Sequence, residues 1–173
     1  MKIVDIERRE NISRLEFLED FQFQKPLIIT NGAKHIGAFS KWSSEYLRQK
    51  IGHVTAQVYD YTDKRKDDYD EAKIVDISVA DYLDELERGN PKGYYWFNLA
   101  NGIFKTNPNL RVSFNPELFS LSDDFCQPNF LHEKNFVYSQ IVLGGKNNST
   151  KLHYDWGGEA KCFIHLRGDK RVS

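Results

Sequence analysis

Thr150-Lys151-Leu152-His153-Tyr154-Asp155 is the stretch on which the fold assignment turns. In an extended chain, residues i and i+2 point to the same side. His153 and Asp155 therefore present an imidazole and a carboxylate together, with Tyr154 turned away. A borderline nitrogen donor beside a hard oxygen donor is two thirds of the facial triad that holds non-haem Fe(II) and leaves one face of the metal open. On its own the tripeptide is common and weak. The other four histidines, His35, His53, His132 and His165, are scattered, and His165 reads as a satisfied residue in an apolar strand.

Working outward, the motif lies in a β-rich half. Phe136–Leu143 reads as a strand ended by Gly144-Gly145, and Leu152–Tyr154 and Lys161–Leu166 as two more, separated by Trp156-Gly157-Gly158. Gly168-Asp169 reads as a turn. Helices decorate the first half. Residues 26–30 (Pro-Leu-Ile-Ile-Thr) form a short strand stopped by Asn31-Gly32, and a helix follows around Lys41–Lys50, with Gly52 after it. Val54–Tyr61 alternates as a strand does, and the charged segment 62–73 reads as a loop. Ser78-Val79-Ala80-Asp81 is a capping-box pattern, and the helix it opens is closed by Gly89-Asn90-Pro91. The aromatic run Tyr94-Tyr95-Trp96-Phe97 is a buried strand by content. Residues 101–135 are irregular, with short helical turns.

Composition narrows the function classes. The 173 residues suffice for one domain with a core. Lys+Arg is 24 against Asp+Glu 25, so bulk charge draws the chain to neither nucleic acid nor anionic lipid. No stretch approaches the roughly 20 apolar residues of a membrane span. The N-terminus lacks the apolar core of a signal peptide, so a cytoplasmic protein is expected. Cys126 and Cys162 are then expected as free, buried thiols, and the sequons at Asn11 and Asn148 carry no meaning. Aromatics at 14% favour strands and a ligand cleft.

The run Leu143-Gly144-Gly145, Ser149 to Asp155, then Phe163-Ile164-His165-Leu166-Arg167-Gly168-Asp169-Lys170 resembles the cupin-like branch of the JmjC oxygenases and is similar to the factor-inhibiting-HIF-type hydroxylases. There, a glycine-ended strand leads to Thr/Ser-x-x-His-x-Asp, and a following strand closes on Gly-x-Lys. Lys25 to Gly32, followed by Trp42-Ser43-Ser44-Glu45-Tyr46-Leu47, is similar to that family's strand and Trp-containing helix. The resemblance covers residues from about 15 onward. It implies a mainly β, α+β architecture: a double-stranded β-helix (cupin or jelly roll) with N-terminal helices. Residues 1–173 would be one domain, with 1–135 the helices and flanking strands and 136–173 the start of the β-helix core.

The resemblance implies roles. His153 and Asp155 match two iron ligands. Lys170 matches the lysine that pairs with the distal carboxylate of 2-oxoglutarate, Thr150 a hydroxyl donating to that carboxylate, and Tyr95 a tyrosine completing the grip, with Tyr94 the alternative inward residue. A cation on a rigid strand facing a carboxylate makes a strong charge-assisted contact. The interval from His153 to Gly168 is two residues longer than the family's usual one, and an asparagine expected on the next strand falls at Lys161. No histidine follows His165, so the distal histidine of the triad and the later strands are missing and the chain is expected to be C-terminally incomplete. The implied activity is an Fe(II)- and 2-oxoglutarate-dependent dioxygenase, hydroxylating a protein side chain, or a fragment of one. The alternative is a non-catalytic, cupin-like metal-binding or interaction module lacking the third ligand. In either case the missing strands leave open sheet edges that invite homo-oligomeric pairing, and neither nucleic acid nor membrane is an expected partner.

Overall fold

A computed structural model describes residues 5–61, 73–96, 116–126, 128, 130, 141–146, 148 and 161–170. Its contacts gather into two compact units. One comprises Met1–Trp42, Asp124–Phe136 and Asp155–Ser173; the other comprises Ser43–Asp123 and Val137–Tyr154.

In the first unit, β1 (Glu7–Arg9) and β2 (Leu27–Ile29) pair in parallel, Glu7 opposite Leu27. Parallel pairing needs a crossover. It is supplied by the turn α1 (Arg14–Glu16), capped by the Ser13 hydroxyl, and by a π-helical turn at Phe17–Phe21 that buries Phe21. The crossover is tied at its base by Lys25 Nζ, 2.9 Å from the Glu7 carboxylate. Helix α2 (Gly37–Lys41) buries Ala38, and Ile36 and Trp42 flank it in the core. Asp124 is the buried acid here. Its two oxygens accept from Lys41 Nζ at 2.7 Å and from Trp42 Nε1 at 3.1 Å, so its charge is paired and both oxygens are used. The Trp42 carbonyl accepts from Arg167 Nε at 3.0 Å.

In the second unit, α3 (Ser44–Ile51) starts at Ser43, whose hydroxyl accepts from the Tyr46 N–H, and it buries Leu47 and Ile51. Strand β3 (Thr55–Asp60) then pairs antiparallel with β4 (Lys73–Ser78) over six residues. Helix α4 (Val79–Glu87) follows directly and buries Val79, Tyr82, Leu83 and Glu85. Arg48 of α3 joins the two helices, donating to the Ala80 carbonyl and to the carboxylates of Asp84 (2.7 Å) and Glu87 (3.2 Å). Strands β5 (Tyr95–Trp96) and β6 (Leu143–Gly144) complete an antiparallel sheet of order β4-β3-β5-β6. A 3-10 helix, Pro116–Asp124, buries Leu118 and Leu121.

The start and stop of α4 match the sequence reading, whereas the helix expected around Lys41–Lys50 begins at Ser44, and Lys41 instead closes the unexpected helix α2. Ser78 accepts from the Asp81 N–H at 3.0 Å. The Asp81 carboxylate accepts a hydrogen bond from the Ser78 hydroxyl at 2.6 Å. Gly89 and Asn90 both take positive φ, +87° and +56°, and end α4. Other expectations shift. Lys161–Leu166, expected as a strand, runs without regular structure, because a strand exists only through a ladder and this segment has none among the described residues. His165, expected inside an apolar strand, is exposed, with Nε2 2.8 Å from the Gly168 carbonyl. Cys126 and Cys162 are free, as expected, but exposed rather than buried. Strands β1 and β4 were not expected. Of the expected strand Phe136–Leu143, residues 136–140 lie outside the described residues, as does Leu152–Tyr154.

One side chain fastens the second sheet to its helix. Tyr82 is fully buried and its ring meets Trp96 edge-on, centroids 5.7 Å apart. Its hydroxyl donates to the Leu143 carbonyl of β6 and accepts from the Trp96 N–H of β5 at 3.1 Å. Burial pushes this phenol well above its ordinary pKa, with the Trp96 hydrogen bond only partly opposing. The fold therefore prefers the neutral phenol. Its contribution is complete below the unfolded-chain value near pH 10 and is lost as pH rises beyond it.

Replacing Ser78 with Ala removes the α4 cap and is expected to cost about 1 kcal/mol in urea unfolding. Tyr82→Phe leaves the Leu143 carbonyl and the Trp96 N–H without that partner and is expected to cost about 1–3 kcal/mol at pH 8. The gap between wild type and Tyr82→Phe should narrow at pH 11, where wild type begins to lose the neutral-phenol contribution. A gap constant from pH 8 to pH 11 would contradict it.

Candidate functional site

The four-stranded sheet has two unlike faces. Ala56 and Val58 of β3 and Trp96 of β5 point to one face and are buried, and α4 covers that face through Tyr82. The register places Ile74, Tyr59, Tyr95 and Gly144 in one row across the other face. There Tyr59 and Tyr95 are half-buried, Thr55, Gln57 and Asp76 are exposed, and Ile74 is 56% exposed. Alternation explains the division: Ala56 and Val58 are apolar and small enough to pack under a helix, and Thr55, Gln57 and Tyr59 between and beside them are polar or phenolic.

Tyr94 and Tyr95, equal candidates in the sequence, are separated by this geometry. Tyr94 is buried outside the ladder, its ring under the Lys92 ammonium at 5.4 Å. Its backbone is clamped by Asn90, whose Oδ1 accepts from the Tyr94 N–H and whose Nδ2 donates to the Tyr94 carbonyl, each at 2.8 Å. Tyr95 occupies the ladder between Tyr59 and Gly144 and faces away from α4.

Lys170 is exposed, at the end of the irregular segment 161–170 of the other unit. Its ammonium rests 4.4 Å from the centroid of the Phe163 ring, itself 73% exposed. The phenol and the ammonium are each donors by type, and the ammonium carries a fixed positive charge. Thr150, His153 and Asp155 lie outside the described residues. An imidazole and a carboxylate are a donor pair that Fe(II) accepts. Among the described residues, no group of three His, Cys, Asp or Glu side chains is placed to hold a metal ion, and no helix is long and apolar enough to cross a membrane.

Two residues of this neighbourhood escaped the sequence reading. Asn90 was read only as a helix stop, though it also splints the backbone before Tyr95. Asn148 was read only as part of a sequon, though its amide reaches Asn90 at 3.5 Å. A left-handed asparagine following glycine was the one available signal for the first; nothing in the sequence marked the second.

No curated protein matches the chain. The profile of the cupin-like domain family matches residues 14–173, a span that contains Tyr95, Thr150, His153, Asp155 and Lys170. Mixed helices and antiparallel strands, consistent with part of a jelly roll, accord with that match. By a match that spans nearly its whole length, the chain belongs to the cupin-like domain family, a JmjC-type family.

Proposed function

We propose that the chain carries the Fe(II)- and 2-oxoglutarate-binding part of an oxygenase that hydroxylates a side chain of another protein. The observation that carries this reading is Tyr95, a phenol on the sheet face that α4 leaves uncovered, in a chain of a family that includes 2-oxoglutarate oxygenases. In this reading His153 supplies an imidazole nitrogen and Asp155 a carboxylate oxygen to the metal. Bound Fe(II) together with 2-oxoglutarate supplies the oxidising power to insert one atom of O₂ into a C–H bond, with the co-substrate leaving as succinate and CO₂.

The remaining work belongs to this chain's own groups. Lys170 neutralises the distal carboxylate of the co-substrate, and its position next to an aromatic ring leaves the ammonium available at small desolvation cost. Tyr95 donates its phenolic proton to the same carboxylate, with Thr150 adding a second hydroxyl. Donors of this kind fix the orientation of a carboxylate, and the buried face under α4 steadies the sheet that carries Tyr95.

The test is direct binding. Anaerobic titration of the full chain with Fe(II), and then with 2-oxoglutarate, should show both bind. His153→Ala is expected to weaken metal binding by more than roughly 100-fold, beyond the loss typical of a group that only supports a ligand. Unchanged metal affinity in that variant would remove His153 as a ligand. Lys170→Ala is expected to weaken 2-oxoglutarate binding by on the order of tenfold to a hundredfold, the worth of a hydrogen bond to a charged group, with metal affinity kept. Equal loss of both affinities would overturn the role given to Lys170.

A further inference from the structure

The double glycine that ends β6 does more than stop a strand. Tyr95 is paired with Tyr59 on one side and with Gly144 on the other. A Cβ built at Gly144 would lie 3.3 Å from Tyr95 Cε2, the ring carbon next to the one bearing the hydroxyl. The phenolic end of the ring therefore lies over the glycine, the arrangement by which an aromatic covers a glycine across two strands. The same point is 3.3 Å from Asn148 Nδ2, so the amide of Asn148 and the hydroxyl end of Tyr95 converge above Gly144.

Gly145 has the matching task one residue on. A Cβ there would fall 2.8 Å from both Cβ and Nδ2 of Asn90, a separation that real side chains do not show. Only glycine lets Asn90 pass so close to β6. Asn90 in turn holds the Tyr94 backbone through both its N–H and its carbonyl, and its Nδ2 lies 3.5 Å from Asn148 Oδ1. Asn148 is further held by its own N–H, which donates to the Gly145 carbonyl at 3.2 Å. The chain of contacts closes on itself: Gly145 admits Asn90, Asn90 fixes the backbone before Tyr95 and meets Asn148, and Asn148 and Gly144 bound the place where the Tyr95 ring rests.

We propose that Gly144 and Asn148, braced by Asn90, are positioning residues that seat the Tyr95 ring and so set the affinity of the chain for the distal carboxylate of 2-oxoglutarate. This rests on the reading of Tyr95 given above. A methyl group at residue 144 has room only if the phenolic end of the ring or the Asn148 amide gives by a few tenths of an ångström. A hydrogen bond to a carboxylate is sensitive to a shift of that size in both length and angle. Neither Gly144 nor Asn148 needs to touch the co-substrate for this; they act through Tyr95.

A double-mutant cycle tests it. Anaerobic calorimetry with Fe(II) and 2-oxoglutarate is run on the full chain, Tyr95→Phe, Gly144→Ala and the double variant. Each single variant should weaken 2-oxoglutarate binding by on the order of tenfold, the worth of one hydrogen bond to a charged group, with Fe(II) affinity unchanged. In the Tyr95→Phe background, Gly144→Ala should have no further effect, because the hydroxyl it would misplace is gone. Additive losses, or loss of metal affinity along with co-substrate affinity, would overturn the proposal. If Gly144→Ala does not fold, Asn148→Ala leaves the strand backbone untouched and is expected to give the same non-additive cycle. Ring resonances of Tyr95, assigned by loss in Tyr95→Phe, should shift in ligand-free Gly144→Ala; unmoved resonances would also overturn the seat. If the unmodified chain binds no 2-oxoglutarate while those resonances do shift, the co-substrate reading fails and the contact alone stands.

Discussion

The second unit depends on a single buried phenol. Tyr82 comes from the middle of α4, yet its hydroxyl serves two strands, donating to the carbonyl of Leu143 and accepting from the N–H of Trp96. β5 and β6 are two residues long, and strands that short have little ladder of their own. What holds them in register with β3 is the helix side chain wedged against them, with Trp96 edge-on to its ring. A buried hydroxyl that satisfies two backbone groups at once exacts a large penalty when it is removed or charged. This makes the position of β6, and everything attached to it, a consequence of α4.

The placement of the candidate site follows from that constraint. With Trp96 committed to the helix side, alternation turns Tyr95 to the opposite face. With Leu143 held, Gly144 falls opposite Tyr95 and Gly145 opposite Asn90. The buried asparagine is the counterpart of the buried tyrosine. It holds the chain between α4 and β5 through both polar atoms of the Tyr94 backbone, and it adopts the left-handed conformation that lets the helix end there. The first unit solves a similar problem with a charge. Asp124 gathers Lys41 and Trp42 of the α2 region, so a buried carboxylate is tolerated because both oxygens are occupied.

Much of this was legible beforehand. The cap of α4 was visible as Ser78 ahead of apolar periodicity, because a capping hydroxyl acts within one turn; the Ser43 cap of α3 was not, and that helix was expected from Lys41. Gly89-Asn90 marked a helix end because left-handed backbone is a local property. β3 was visible through its alternation. β4 was not: its Lys73-Ile74-Val75-Asp76 follows a dense charge run and exposes Ile74, so its pattern does not separate two faces. β1 was missed because a three-residue edge strand carries almost no period. Lys161–Leu166 read as a strand from its content, but β content is a statement about fitting a pleated surface, and among the described residues no strand pairs with it.

The sequence by itself determined the family, through motifs of fixed spacing, and the kind of chemistry its side chains could support, because donor type and charge belong to the residue and not to the fold. It also determined the boundaries of α4, which are set by interactions a few residues long. Only the tertiary structure showed that Tyr94 is buried outside the ladder and that Tyr95 lies within it facing away from α4, since that depends on which face of β5 a helix from elsewhere in the chain covers. Only the tertiary structure, too, brought Gly144, Gly145, Asn90 and Asn148 together. Their meeting joins positions more than fifty residues apart, and a close approach across strands leaves no trace in the local pattern of either one.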